Sequence, residues 1–185
     1  EMGCLVNETQ VKTVSSHVDD AVVKGATVVA GGKARPDLGP LFYEPTVLTD
    51  VPEDADCYRD ETFGPLVSVY PVDNVDEAIR GANDTEYGLN ASVWAATKAQ
   101  GEAIAARVRA GTVNVDEGYA PAWASTDAPM GGMGISGVGR RHGSEGLLKY
   151  TESQTIATTR ILNLGGPRGL PPKLWAKIIP PFIRS

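Results

Sequence analysis

Glu61-Thr-Phe-Gly-Pro65 combines a carboxylate, an aromatic ring and a Gly-Pro break within five residues. At the entrance of a strand, such a carboxylate can accept hydrogen bonds from a vicinal diol, as on a ribose, and a phenyl ring can cover a flat heterocycle. The same five residues read equally well as a surface glutamate beside a core phenylalanine. The other chemical signals are weaker. Gly132-Met-Gly-Ile-Ser-Gly137 has the spacing of a pyrophosphate-cradling loop, but Pro129 and a polar stretch precede it instead of a strand. Val138-Gly-Arg-Arg-His-Gly143 beyond it opens no helix, so a tight glycine turn is expected. Gly31-Gly32-Lys33 lacks the earlier glycine and the hydroxyl of a phosphate loop. Cys4 and Cys57 have no local base or helix N-terminus to favour the thiolate. Together with His17 and His142 they form no metal-ligand pattern.

The elements that must position these residues alternate. Val11, Val14, His17, Val18, Ala21 and Val22 recur at helical spacing, and Lys24-Gly25 closes the helix. Ala26 to Ala30, Tyr43 to Leu48 and Leu66 to Val72 read as strands. A helix capped by Asp73 or Asn74 runs through Ala78, Ile79 and Ala82, and Tyr87-Gly88-Leu89 follows it. Then come a strand from Ala91 to Ala95, an alanine-rich helix from Lys98 to Arg109, a break at Gly111 and a strand from Thr112 to Val115. Alternation over Val67 to Asp116 predicts an α/β fold with βαβ units, a mostly parallel sheet and flanking helices. Residues 117–141 read as one long loop, the kind that often carries function. A short helix at Ser144 to Lys149 and a strand at Ser153 to Thr159 complete the regular part.

With 185 residues and 42% apolar content, the chain can bury a core. Its net charge of -6 argues against nucleic acid or an anionic membrane as a partner. Two distant cysteines fit a reducing, cytoplasmic compartment. The first residues have neither a basic nor a long apolar region, so no signal peptide is expected. The Asn-X-Ser/Thr triplets at Asn7, Asn83 and Asn90 are then read as chance.

Six short motifs occur in order: Glu61-Thr-Phe-Gly-Pro65, Asn83 through Tyr87-Gly88-Leu89, Gly111-Thr-Val-Asn-Val115, Pro129-Met-Gly-Gly132, Ser136-Gly137 with Gly139-Arg140, and Tyr150-Thr151-Glu152. In order and spacing the set resembles the aldehyde dehydrogenase superfamily over about Met2 to Thr159. Within it the likeness is to the succinate-semialdehyde dehydrogenase type. Gly3-Cys4-Leu5-Val6 resembles the segment soon after that family's nucleophile, so residues 1–150 are expected to be the C-terminal part of the catalytic domain. Residues 151–160 would be an oligomerisation strand and 161–185 a tail.

The resemblance implies NAD or NADP as cofactor, with Glu61 binding the nicotinamide ribose hydroxyls and Phe63 and Leu89 beside the nicotinamide. Tyr119, Trp123, Ser125 and Met130 would line the substrate tunnel. Thiolate attack on an aldehyde, hydride transfer and thioester hydrolysis are the implied chemistry, with succinic semialdehyde the candidate substrate. The strand Ser153 to Thr159 implies a homo-oligomer. Departures matter too. Val29 stands where a base glutamate would be in Val29-Ala-Gly-Gly-Lys33, and neither cysteine has the surroundings of the nucleophile, so no catalytic residue is assigned and the chain alone is expected to be inactive. Gly134-Ile135 replaces a basic residue, and Met130 takes a common Phe position. A catalytically inactive truncated chain acting as an oligomerisation or interaction module is the alternative. In the tail, Pro172 could start a two-turn helix bearing Lys173 and Lys177, read as a subunit-docking element ahead of a weak membrane-surface contact.

Overall fold

The computed structural model describes residues 2–158 and 166–178. The chain divides into two units, Glu1–Gly146 and Leu147–Ser185. The first opens with α1 (Glu8–Val23), where the Asn7 side chain accepts the Gln10 N–H at 2.9 Å. Such a cap replaces one of the bonds a helix N-terminus cannot make internally. One face of α1 buries Val14, Val18 and Ala21. β1 (Thr27–Ala30), β2 (Thr46–Thr49) and β3 (Leu66–Val69) form a three-stranded sheet in that order, β1–β2 antiparallel and β2–β3 parallel. Leu48 of β2 is fully buried with Ala21 and Ala55, while Val14 and Val18 pack with Tyr43. Burial of Leu48, Val14 and Val18 contributes about 1.5–3 kcal/mol each.

α2 (Asp56–Arg59) lies between β2 and β3 and is tied to α1. Asp20 of α1 accepts the Asp56 N–H at 2.8 Å and pairs with Lys24 at 2.8 Å. The Lys24 ammonium, then the Asp56 N–H, hold the Asp20 carboxyl below its ordinary value. This link is therefore present above the usual carboxylate range and is lost as pH falls through the depressed value.

α3 (Val75–Asn83) is capped by Asn74, whose side chain accepts the Glu77 N–H at 2.9 Å, while Glu77 reaches back to the Asp73 N–H at 3.0 Å. β4 (Asn90–Val93), α4 (Lys98–Ala105) and β5 (Thr112–Val115) form the expected βαβ unit, with β4 and β5 paired in parallel. Buried Asn114 donates to the Asn90 side chain at 3.0 Å and to the Ala91 carbonyl at 3.3 Å.

The α/β class is as the sequence predicts, with two corrections of detail. The parallel pairs belong to two small sheets, and the outer strand β1 runs antiparallel. α4 stops at Ala105 instead of reaching Arg109, because the Asn83 side chain captures the Arg107 carbonyl at 2.9 Å and the Arg109 N–H at 2.7 Å. The Arg109 N–H is thereby withdrawn from the helix, and the Arg107 carbonyl, which a helix end leaves open, gains a partner. Within residues 117–141 the structure adds α5 (Ala120–Ala124) and a 3-10 turn (Gly134–Ser136). α6 (Gly143–Leu148) follows.

Among the described residues of the second unit, α7 (Pro172–Ile178) begins at Pro172 as expected, and the Trp175 ring covers Gly166. The strand expected at Ser153 to Thr159 is not formed over residues 153–158, which are exposed and lack strand pairing. Thr159 lies outside the described residues. β-structure is a paired state, and an extended segment without a ladder partner has no strand of its own. No helix among the described residues is long and apolar enough to cross a membrane.

Candidate functional site

Glu61 leaves α2 through Asp60, whose N–H closes the helix on the Asp56 carbonyl at 2.8 Å. Arg59 sits over the Tyr58 ring at 4.7 Å and pairs with Asp84 at 3.1 Å, which holds the Asp84 carboxyl below its ordinary value. That pair joins α2 to the segment after α3. The loop beyond Glu61 is supported by α1: Gln10 donates to the carbonyls of Thr62 and Phe63 at 2.6 and 3.1 Å. Buried His17 places Nδ1 at 2.9 Å from the Thr62 hydroxyl, and a Cβ on Gly64 would overlap Val14. Phe63 occupies the left-handed region, φ 47°, and its side chain is 76% exposed. A non-glycine residue there costs about 1–2 kcal/mol, so the α1 contacts hold a strained turn in place.

Replacing His17 by Ala should therefore lower the unfolding free energy by about 1–3 kcal/mol in urea denaturation, because the Thr62 hydroxyl loses its partner in a half-buried place. A change under about 0.5 kcal/mol, typical of an idle surface residue, would remove His17 from the support of this loop.

Leu89 is positioned by a different set of bonds. The Gly88 carbonyl accepts the N–H groups of Met133 and Gly111 at 2.8 and 2.9 Å, and its own N–H donates to the Ser136 hydroxyl at 2.9 Å. The Leu89 carbonyl accepts from Thr112 at 3.2 Å. Arg109 donates to the Thr85 carbonyl at 2.6 Å. Arg140 holds the Pro129-Met-Gly-Gly132 turn by donating to the Gly132 carbonyl at 2.9 Å. The Tyr87-Gly88-Leu89 and Gly111-Thr-Val-Asn-Val115 motifs are thus joined through backbone, and Ser136 is tied to the first of them through its hydroxyl.

Glu61 and Leu89 line one cavity of about 590 Å³, together with Tyr58, Arg59, Arg109 and Ser136. Among the described residues Glu61 makes no side-chain hydrogen bond or ion pair, so both its oxygens can accept from a ligand. Phe63 is not part of the lining. In the other group, Tyr119 and Met130 meet, the tyrosine hydroxyl 3.4 Å from the Met130 sulfur. Trp123 lies 65% exposed on α5, and the Ser125 hydroxyl accepts the Ala128 N–H at 3.2 Å. Cys4 is exposed, and burial pushes the Cys57 thiol up, away from the thiolate. No group of three or more His, Cys, Asp or Glu among the described residues is placed to hold a metal.

Sequence reasoning did not single out Arg59 and Arg109 of the cavity wall, nor His17 and Gln10, which support the turn at Thr62 and Phe63. His17 had a signal, being a polar residue on the apolar stripe of α1. The arginines had none, because their partners are backbone carbonyls or a carboxylate remote in sequence.

The sequence model of the aldehyde dehydrogenase family matches residues 1–156, a stretch that contains every turn just described. The chain belongs to the aldehyde dehydrogenase family. It is 70% identical over its whole length to a Mycobacterium ulcerans protein bearing the provisional name succinate-semialdehyde dehydrogenase (NADP+) 2. It is 39% identical over 155 residues to the succinate-semialdehyde dehydrogenase (NADP+) of Deinococcus radiodurans. Among solved structures it is similar to the betaine aldehyde dehydrogenase of Staphylococcus aureus in complex with NAD+, with a TM-score of 0.73 and 36% identity over 81% of this chain and 30% of that one. The succinate-semialdehyde dehydrogenase of Burkholderia pseudomallei gives 0.72 and 40% identity over 80% of this chain and 30% of that one. The chain spans 36% of the length of the Mycobacterium relative.

Proposed function

We propose that this chain serves an NAD(P)-dependent aldehyde dehydrogenase as its C-terminal catalytic segment, with succinic semialdehyde the candidate substrate. The observation that carries the reading is the unengaged Glu61 carboxylate sharing one cavity with Leu89, in a chain of this family. Glu61 would accept the ribose hydroxyls of the nicotinamide nucleotide, and Leu89 would pack beside the ring. Phe63, which does not line that cavity, would cover the nicotinamide from its own strained turn, held by Gln10. When bound, the nucleotide supplies the hydride acceptor. Tyr119, Trp123, Ser125 and Met130 form the wall along which the aldehyde is placed. The names of the relatives favour NADP over NAD.

In the same reading, residues 153–159 pair with a second subunit. Support comes from residues 153–158 being exposed and unpaired in the single chain, with Ile156 85% exposed. Two free cysteines suit the cytoplasm, and the net charge of -6 suits neither nucleic acid nor an anionic membrane.

The test is formation of reduced nucleotide by the enzyme that carries this segment, supplied with NADP+ or NAD+ and succinic semialdehyde. Turnover is expected with the full enzyme and none with the 185 residues alone, in which neither cysteine has the surroundings of the nucleophile and Val29 stands where the base glutamate would be. No reduction of either nucleotide across a panel of aldehydes would overturn the assignment.

A further inference from the structure

A pair of antiparallel backbone bonds, each 2.7 Å, sets Arg141 directly across from Met130. Both Nε and Nη2 of the Arg141 guanidinium face the Met130 sulfur, at 3.2 and 2.9 Å, and the Tyr119 hydroxyl faces the same atom at 3.4 Å. Three donors thus converge on a thioether, one of the weakest acceptors a protein has. The Nε–Nη2 edge is also the fork that grips a carboxylate with two parallel bonds. Arg35, Arg59 and Arg107 each spend that charge on an aspartate, whereas among the described residues Arg141 has no ion pair with any carboxylate. Met130 is buried, while Tyr119 and Arg141 are exposed, so an incoming ligand can reach the donors without unfolding the turn.

We propose that Arg141 and Tyr119 form the receptor for an anionic group at the far end of the aldehyde, and so select ω-carboxy aldehydes over neutral ones. The proposal rests on the enzyme reading above, with the tunnel wall at Tyr119 to Met130. The sequence of that loop holds no Lys or Arg of its own, and the Met130–Arg141 bridge brings one to it from eleven residues downstream. The carboxylate would take the fork from the sulfur and the tyrosine hydroxyl as a third donor. Exchanging a thioether for a carboxylate acceptor strengthens every one of these bonds.

The experiment compares succinic semialdehyde with butanal in the enzyme that carries this segment, wild type against Arg141→Gln, Arg141→Lys and Tyr119→Phe. Wild type should prefer the anionic aldehyde. Arg141→Gln should reduce the ratio of the two kcat/KM values about 10- to 100-fold, chiefly through KM for succinic semialdehyde. Arg141→Lys, which keeps the charge and loses the fork, should recover part of the ratio, and Tyr119→Phe should reduce it less. Both substrates are measured on one preparation, so partial unfolding lowers both rates and leaves the ratio alone. An unchanged ratio in Arg141→Gln overturns the proposal while the enzyme reading survives. If the wild type oxidises neither these two nor any other aldehyde of the panel, the enzyme reading fails, and titration of the nitrogen-15-labelled chain with succinate then decides. A shift of the Arg141 Nε–H resonance sustains the receptor, and its absence ends it.

Discussion

Glu61→Gln, in the enzyme that carries this segment, is expected to slow the hydride step about 10- to 100-fold while changing nucleotide affinity less than about threefold. Glutamine keeps the shape but offers one acceptor oxygen and an NH2 group that donates, whereas a diol brings two donors. The nucleotide would still be held elsewhere, with its reactive end misplaced. Because Glu61 has no protein partner among the described residues, the variant should fold and melt like the wild type, which separates the effect from instability. Single-turnover kinetics reads the step directly, and an unchanged rate would mean that Glu61 is a surface carboxylate with no part in positioning.

Gly111→Ala should cost stability rather than rate, and more of it than any other single methyl in this region. A Cβ at Gly111 would overlap the Gly131 carbonyl oxygen, and the Gly111 N–H is already committed to the Gly88 carbonyl at 2.9 Å. Backbone sits on both sides, so no side chain can rotate aside. A loss above about 3 kcal/mol, or failure to fold, is expected. Gly25→Ala is the informative companion. Gly25 has φ 111° with nothing within 4 Å of the added carbon, so its cost is conformational, about 1–2 kcal/mol. Urea midpoints that move equally for both would show that close approach at Gly111 does not govern.

Much of the framework was legible in the sequence because it is local. The stripe from Val11 to Val22, the Asn74 cap and the strand from Thr112 to Val115 depend on residues within a few positions of one another, and each is where pattern places it. The early stop of α4 was not, because it is made by Asn83, whose side chain reaches across the chain to Arg107 and Arg109. α5 was missed within a Gly-, Ala- and Pro-rich stretch that shows no period over five residues. Pro71, two residues past the end of β3, bars a strand that composition would extend to Val72, since proline has no N–H to offer. As for the site, the resemblance singled out Glu61 and Leu89, and they share a cavity. Arg141 was hidden: its role is set by which residue stands opposite Met130, and no spacing rule encodes that pairing.

The cavity wall is gathered from four stretches of chain, 58–61, 82–91, 108–110 and 135–136. No partly folded species holding only two of them can present it, so it is completed late, after the long loops between them have closed. Anything that binds there binds only the finished fold and draws the whole folding equilibrium with it by mass action. A nucleotide in this cavity would thus act as a folding cofactor for the segment, protecting amides as far away as β5 and α1 from hydrogen exchange and not only those of the turn it touches.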